Sequence, residues 1–206
     1  MPARLTLAEM GEDLLAQCDA AGMGAAHWFG YSVGGLVALW IAAHRPERVL
    51  SISTLVTKVI YDPPAVAHAV HLADPERLAR PDHPRSTQLP ALHHPQDWVR
   101  VVEAVRQLLA SFGNAPPMPF SLLEQIRCPA LLLGGLKDPL VPAAEVKLQA
   151  KRMPNAASAF FPGSSHPLAS APIDAIVQGL TDFTAEPQNV IRKSKISLQD
   201  FRWDRP

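Results

Sequence analysis

The sequence predicts an α/β fold: a parallel sheet with helices on both faces and a small helical insertion. Three observations predict it. Apolar segments follow the order helix, strand, helix, strand, insertion, strand, helix, strand, helix, which brings successive strands into one parallel sheet. The run Val49 to Val56 (Val-Leu-Ser-Ile-Ser-Thr-Leu-Val) is rich in β-branched residues and lacks clean alternation, as suits a strand covered on both faces. Finally, Gly30-Tyr31-Ser32-Val33-Gly34 sets a serine on a sharp turn between an apolar strand and a helix.

Composition bounds the rest. The 206 residues are about one domain, 48% hydrophobic and 18% charged, an ordinary globular balance. Lys+Arg and Asp+Glu are equal at 19 each, so no nucleic-acid footprint is expected. No apolar run approaches the roughly 18–20 residues of a membrane span, and the N-terminus lacks a signal-peptide core. A cytoplasmic protein without a membrane partner is the expectation. Cys18 and Cys128 lie in unrelated contexts and read as separate buried thiols.

Taken in order, Thr6-Leu7-Ala8-Glu9 is a capping box that opens a helix, with Leu7, Met10, Leu14 and Cys18 at helical spacing. Gly11 is a blemish there, costing about 1 kcal/mol. Gly22 and Gly24 end the helix, and Ala26 to Phe29 form a strand. After the serine, Val33 to His44 read as a helix, apolar nearly all round, that stops before Pro46. Gly30 and Gly34 are both expected to be glycine because a Cβ would collide across so tight a turn.

From about Lys58 the texture changes. Residues 62–96 hold prolines at 63, 64, 75, 81, 84, 90 and 95 and histidines at 68, 71, 83, 93 and 94, so loops with short helices are expected. A helix from about Pro95 carries Trp98, Val101, Val102, Val105, Leu108, Leu109 and Phe112, with Gly113 as its stop. Four of the histidines, His68, His71, His93 and His94, are spaced irregularly and lack a completing cysteine or carboxylate cluster, so no metal site is read from them. The core resumes with a strand over Ala130 to Gly134, a helix from about Pro142 to Met153, a strand over Ser158 to Phe161 and a helix carrying Ile173, Ile176, Val177 and Leu180. Beyond Glu186 the chain is polar and mildly basic, and a poorly ordered tail over 186–206 is expected.

Chemistry in parallel sheets gathers at the carboxyl ends of the strands. Ser32 is at one such end. Asp138 follows the Leu131-Leu132-Leu133 strand, and His166 follows Phe160-Phe161, in the chain order Ser, Asp, His. Nucleophilic catalysis needs a serine, a base to take its proton and a carboxylate to fix the tautomer of the base. The helix after Ser32 aims its N-terminal N–H groups at the same spot, where an oxyanion would develop.

On Gly30-Tyr31-Ser32-Val33-Gly34-Gly35, Ile126-Arg127-Cys128-Pro129, Gly134 to Asp138 with Leu140-Val141-Pro142, and Gly163 to His166, the chain resembles the α/β-hydrolase family over residues of about 1–185. The resemblance implies a core of residues 1–57 and 126–185 and a cap of residues 58–125 that shapes the substrate pocket. It makes Ser32 the nucleophile, His166 the general base and acid, Asp138 the orienting acid and the Val33 N–H an oxyanion donor. Tyr31, His94 and Trp98 are candidates for the pocket, Trp98 having an alternative place in the core of its own helix. No cofactor is called for.

Family members usually carry several strands and a helix before the elbow, including the loop with the second oxyanion donor. Here about 30 residues precede Ser32, so an N-terminally truncated core is expected. Losing one donor typically costs about 10²–10³ in rate. The function expected is a serine hydrolase that cleaves a carboxylic ester or related acyl bond of a small-molecule substrate. The alternative is a truncated relative, weak or inactive, that serves as an interaction module or non-functional fragment. The same truncation predicts an open strand edge over Ala26 to Phe29, exposure of Leu36, Val37 and Trp40, and a homo-oligomer through residues 24–40.

Overall fold

A computed structural model describes residues 5–196. Its centre is a sheet of four parallel strands in the order β1 (Ala26–Tyr31), β2 (Val49–Leu55), β3 (Ala130–Gly135) and β4 (Ala156–Phe161). β3 is buried along its whole length, and β2 is buried except at Leu50, which accounts for their unbroken apolar texture. Because the strands are parallel, their carboxyl ends share one edge of the sheet. The chain divides into two compact units, residues 10–59 with 118–196, which hold the sheet, and residues 5–9 with 60–117.

In the sheet unit, α2 (Val33–His44) packs against β1 and β2, and α8 (Ala143–Arg152) against β3 and β4. The register puts Gly30 and Gly134 on one face of the sheet, because Gly30 pairs with Thr54, Thr54 with Leu132, and side chains repeat every second residue. A Cβ on Gly30 would meet the backbone of α2 and one on Gly134 would meet Val146 of α8, so both helices cover that face. The face carrying His27 and Phe29 is open at β1, where Phe29 is 47% exposed.

Helix α1 (Leu7–Ala20) opens as the capping box predicts: the Glu9 N–H donates to Thr6 Oγ1 at 3.1 Å, and the Thr6 hydroxyl donates to the Glu9 carboxylate at 2.9 Å. Its buried side differs from the expected one. Leu15 is buried and Leu14 is 40% exposed. Gly11, four residues before Leu15, is no blemish, because a Cβ there would strike the ring of Trp40. Trp40 is thereby half covered and stacks on His44 at 4.5 Å. The expected exposure of Leu36 and Val37 is also corrected: Leu36 is 0% and Val37 2% exposed, because the helix is packed against its own two strands.

The other unit is more regular than its prolines suggest. Helices α3 (Pro63–Leu72), α4 (Pro75–Leu78), α5 (Gln88–His93) and α6 (Trp98–Ser111) fill most of it. Asp62, Asp74 and Asp97 cap three of them by accepting from the N–H groups of Ala65, Glu76 and Val99. Pro63 and Pro75 occupy first helical positions, where a missing N–H costs nothing. Leu78, Leu89 and Val102 form a small core against which Trp98 packs.

At the far end, α7 (Phe120–Leu123) precedes β3, and α9 (Ile173–Ala185) and α10 (Pro187–Ile196) follow β4. The expectation of a poorly ordered tail from residue 186 is corrected over 187–196, which form α10 and pack against β4 and β3. Ile191, 2% exposed, is the anchor that the polar composition hid. Residues 197–206 lie outside the described residues. No helix among the described residues is long and apolar enough to cross a membrane.

Candidate active site

Ser32 stands between the last residue of β1 and the first of α2, with φ 52° and ψ −120°. A side-chain-bearing residue in that region is strained, and the strain is held from several sides. The Ser32 N–H donates to the carbonyl of Leu55 at 2.9 Å, and the Ser32 carbonyl accepts the Gly35 N–H at 3.0 Å. Glycine is obligatory at 30, where a Cβ would run into the carbonyl of Gly34, and at 35, where it would overlap Thr57 Oγ1. The expected need for glycine at 34 is corrected: a Cβ there meets nothing within 4 Å.

Asp138 follows β3 on a turn whose own N–H groups hold it. Its Oδ1 accepts from the N–H of Leu140 at 2.8 Å and of Val141 at 3.0 Å. Burial alone would push this carboxyl up. The hydrogen bond from the His166 side chain, the two backbone donors and the charge of His166 outweigh it and hold Asp138 below its ordinary value. It is therefore a carboxylate at neutral pH. Gly135 lets the turn after β4 approach β3, since a Cβ there would collide with the Ser164 carbonyl.

His166 follows β4 and lies between the other two residues. Its Nδ1 is 2.9 Å from Asp138 Oδ2 and its Nε2 is 3.1 Å from Ser32 Oγ. A carboxylate on Nδ1 accepts the N–H of the neutral imidazole, leaving Nε2 as a bare acceptor facing the serine hydroxyl. Ser32, Asp138 and His166 thus form one continuous hydrogen-bond chain at the carboxyl edge of the sheet. Val33 is the first residue of α2, so its N–H has no carbonyl one turn back to bond within the helix.

A model of the alpha/beta hydrolase family matches residues 2–178. The chain belongs to the alpha/beta hydrolase family. RutD of Stutzerimonas stutzeri (strain A1501), named as a carbamate hydrolase, is 29% identical over 213 residues, an alignment covering 90% of this chain and 76% of RutD. Among solved structures, an esterase from Thermogutta terrifontis matches with a TM-score of 0.66 at 23% identity, covering 91% of this chain and 75% of the esterase. The enol-lactonase from Burkholderia xenovorans LB400 matches with a TM-score of 0.61 at 20% identity, covering 88% of this chain and 74% of the lactonase. These two likenesses speak for the alpha/beta hydrolase fold alone.

Of the pocket candidates, Tyr31 is beside His166. Its hydroxyl donates to the backbone carbonyl of His166 at 2.7 Å, and its ring lies 5.8 Å from the imidazole at 40°. His94 and Trp98 belong to the unit that includes residues 60–117, where Trp98 packs on its own core and His94 is exposed after α5. Both cysteines are free thiols. Burial pushes the Cys128 thiol up to about 11, against a smaller pull from a backbone hydrogen bond, so it stays protonated and is no rival nucleophile at neutral pH.

Sequence reasoning missed Thr57, Glu145 and Gln149. Glu145 and Gln149 sit one turn apart on α8 and both reach the segment after β2. Glu145 accepts from the Val59 N–H at 2.7 Å and from Lys58 Nζ at 2.9 Å, and Gln149 donates to the Thr57 carbonyl at 2.9 Å. A Glu and a Gln at i, i+4 on a helix between two core strands was the available signal.

Proposed function

We propose that this alpha/beta hydrolase is a serine hydrolase that cleaves a carboxylic ester or a related acyl bond. The observation that carries the reading is the unbroken chain Asp138 Oδ2–His166 Nδ1, His166 Nε2–Ser32 Oγ, at 2.9 and 3.1 Å. In it, Ser32 Oγ attacks the acyl carbon as His166 Nε2 takes the hydroxyl proton. The carbonyl oxygen becomes an oxyanion facing the Val33 N–H. His166 then gives its proton to the leaving group as the bond to the acyl carbon breaks. A water, deprotonated by His166, attacks the acyl-enzyme; the acid leaves and Ser32 recovers its proton. Asp138 keeps the imidazole in the tautomer that exposes Nε2 and stabilises the imidazolium between the two transfers.

The name of the RutD relative widens the substrate class to carbamates, whose carbonyl presents the same electrophile. The test is labelling by a fluorophosphonate probe, followed by a panel of p-nitrophenyl esters and carbamates. Labelling of the parent and none of Ser32→Ala is the expected result. A parent that takes no probe would favour the alternative, an inactive relative acting as an interaction module or non-functional fragment.

A further inference from the structure

We propose that Thr57 is a positioning residue that aims the Val33 N–H at the developing oxyanion, and that Gln149 holds Thr57 in place. The proposal rests on the reading of Ser32 as nucleophile and names a device that serves it.

The argument starts from a peptide plane. The carbonyl of Ser32 and the N–H of Val33 belong to one planar unit and point in opposite directions. Whatever fixes the carbonyl therefore fixes the direction of the N–H. That carbonyl accepts the Thr57 hydroxyl at 3.2 Å, in addition to the Gly35 N–H at 3.0 Å. The Gly35 bond belongs to the first turn of α2, whereas the Thr57 bond ties the peptide to a different strand end.

The approach of Thr57 has required concessions from its surroundings. Gly35 has no side chain where Thr57 stands, since any Cβ would overlap the hydroxyl. Val56, the residue before, takes φ 46°, a left-handed value that a β-branched side chain strongly disfavours. Thr57 is 1% exposed, and its own carbonyl is held by Gln149 Nε2 at 2.9 Å. Gln149 is itself fully buried, and its Oε1 finds no hydrogen-bond partner among the described residues. An unsatisfied buried acceptor is a poor choice for stability alone. A strained valine precedes Thr57, a missing side chain at Gly35 makes room for its hydroxyl, and a buried amide with an orphaned oxygen holds its carbonyl. Among the described residues, that hydroxyl donates to the carbonyl of Ser32.

Because the oxyanion exists only in the transition state, loosening its donor lowers kcat and leaves KM in place. The experiment compares Thr57→Val, which keeps the shape and removes the hydroxyl, with Thr57→Ser, which keeps the hydroxyl. Each is assayed for kcat and KM on p-nitrophenyl butyrate and for the rate of fluorophosphonate labelling, alongside the parent and Ser32→Ala. Thr57→Val is expected to lose about tenfold in kcat and in labelling rate, the size of one neutral hydrogen bond, with KM unchanged. Thr57→Ser restores most of both. Should Thr57→Val fail to fold, Gln149→Met, one bond further from the nucleophile, is expected to show the same split with a smaller fall. A labelled parent with folded Thr57 or Gln149 variants as fast as itself overturns the positioning role and leaves the serine hydrolase standing. A parent that is not labelled at Ser32 overturns both.

Discussion

The hydroxyl of Tyr31 donates to the backbone carbonyl of His166 across 2.7 Å, so the residue before Ser32 holds the loop that carries His166. Ser32 and His166 are thereby linked by a second route besides their own hydrogen bond. Tyr31→Phe keeps the ring and removes this bond. It is expected to fold normally and to lose several-fold in kcat, about the value of one hydrogen bond, while KM changes little. Steady-state kinetics on a p-nitrophenyl ester checks it, and an equal fall in kcat/KM through KM alone would instead place Tyr31 against the substrate.

Asp138→Asn is expected to fold and to lose about 10⁴ in kcat, because an amide on Nδ1 favours the tautomer that turns an N–H toward Ser32. Its effect on stability has a definite sign. The folded carboxyl lies below its ordinary value, so it contributes stability that is present above about pH 3.9 and is lost as pH falls through the folded value. Melting curves of the parent are expected to fall across that acid window, and those of the Asn variant to fall less steeply there.

The glycines of the elbow are not equivalent. Gly30→Ala and Gly35→Ala each push a methyl into backbone or into Thr57, and both are expected to abolish soluble, folded protein or its activity. Gly34→Ala meets open space within a helix and is expected to keep the fold, with up to about 1 kcal/mol of added helix propensity. Circular dichroism and thermal melts of the three variants decide the matter.

Glu145 is 7% exposed and holds both Lys58 and the Val59 N–H. Removing it by Glu145→Ala leaves the partly buried Lys58 ammonium and the Val59 N–H without this carboxylate, and the loss is expected to be about 3 kcal/mol. At roughly 2–4 °C per kcal/mol for a chain of this size, the melting temperature should fall by about 6–12 °C, measured by calorimetry.

What was legible in the sequence was whatever depended on position along a strand. Ser32, Asp138 and His166 could be found because each follows a strand, and parallel strands bring those ends together whatever else the chain does. Contacts set by a neighbour distant in sequence were not legible. The motif letters named Gly34, but the neighbour that matters is Thr57, and it stands against Gly35. Helix α1 was read a residue out of phase, because the position that meets Trp40 is a glycine and carries no apolar signal. The bond of the Tyr31 hydroxyl was hidden because nothing local shows that it reaches a carbonyl 135 residues away. Within residues 60–117, the pairs Asp62-Pro63 and Asp74-Pro75 were helix starts in plain view, lost in a stretch that read as irregular from its proline content.

Among the described residues β1 pairs with β2 alone, and this gives the sheet an uneven clock. Alternate amides of a strand point to opposite sides, so within Ala26–Tyr31 one set is bonded to β2 and the other is turned outward. Exchange with deuterated water should record this as a two-tone pattern along β1: outward amides lost early, inward ones retained longer, and both outlasted by the enclosed amides of β3. Ser32 hangs from the end of this strand. The slowest local opening that exposes β1 from the β2 side therefore also sets how often Ser32 leaves its place, and the inward amides of β1 time that event.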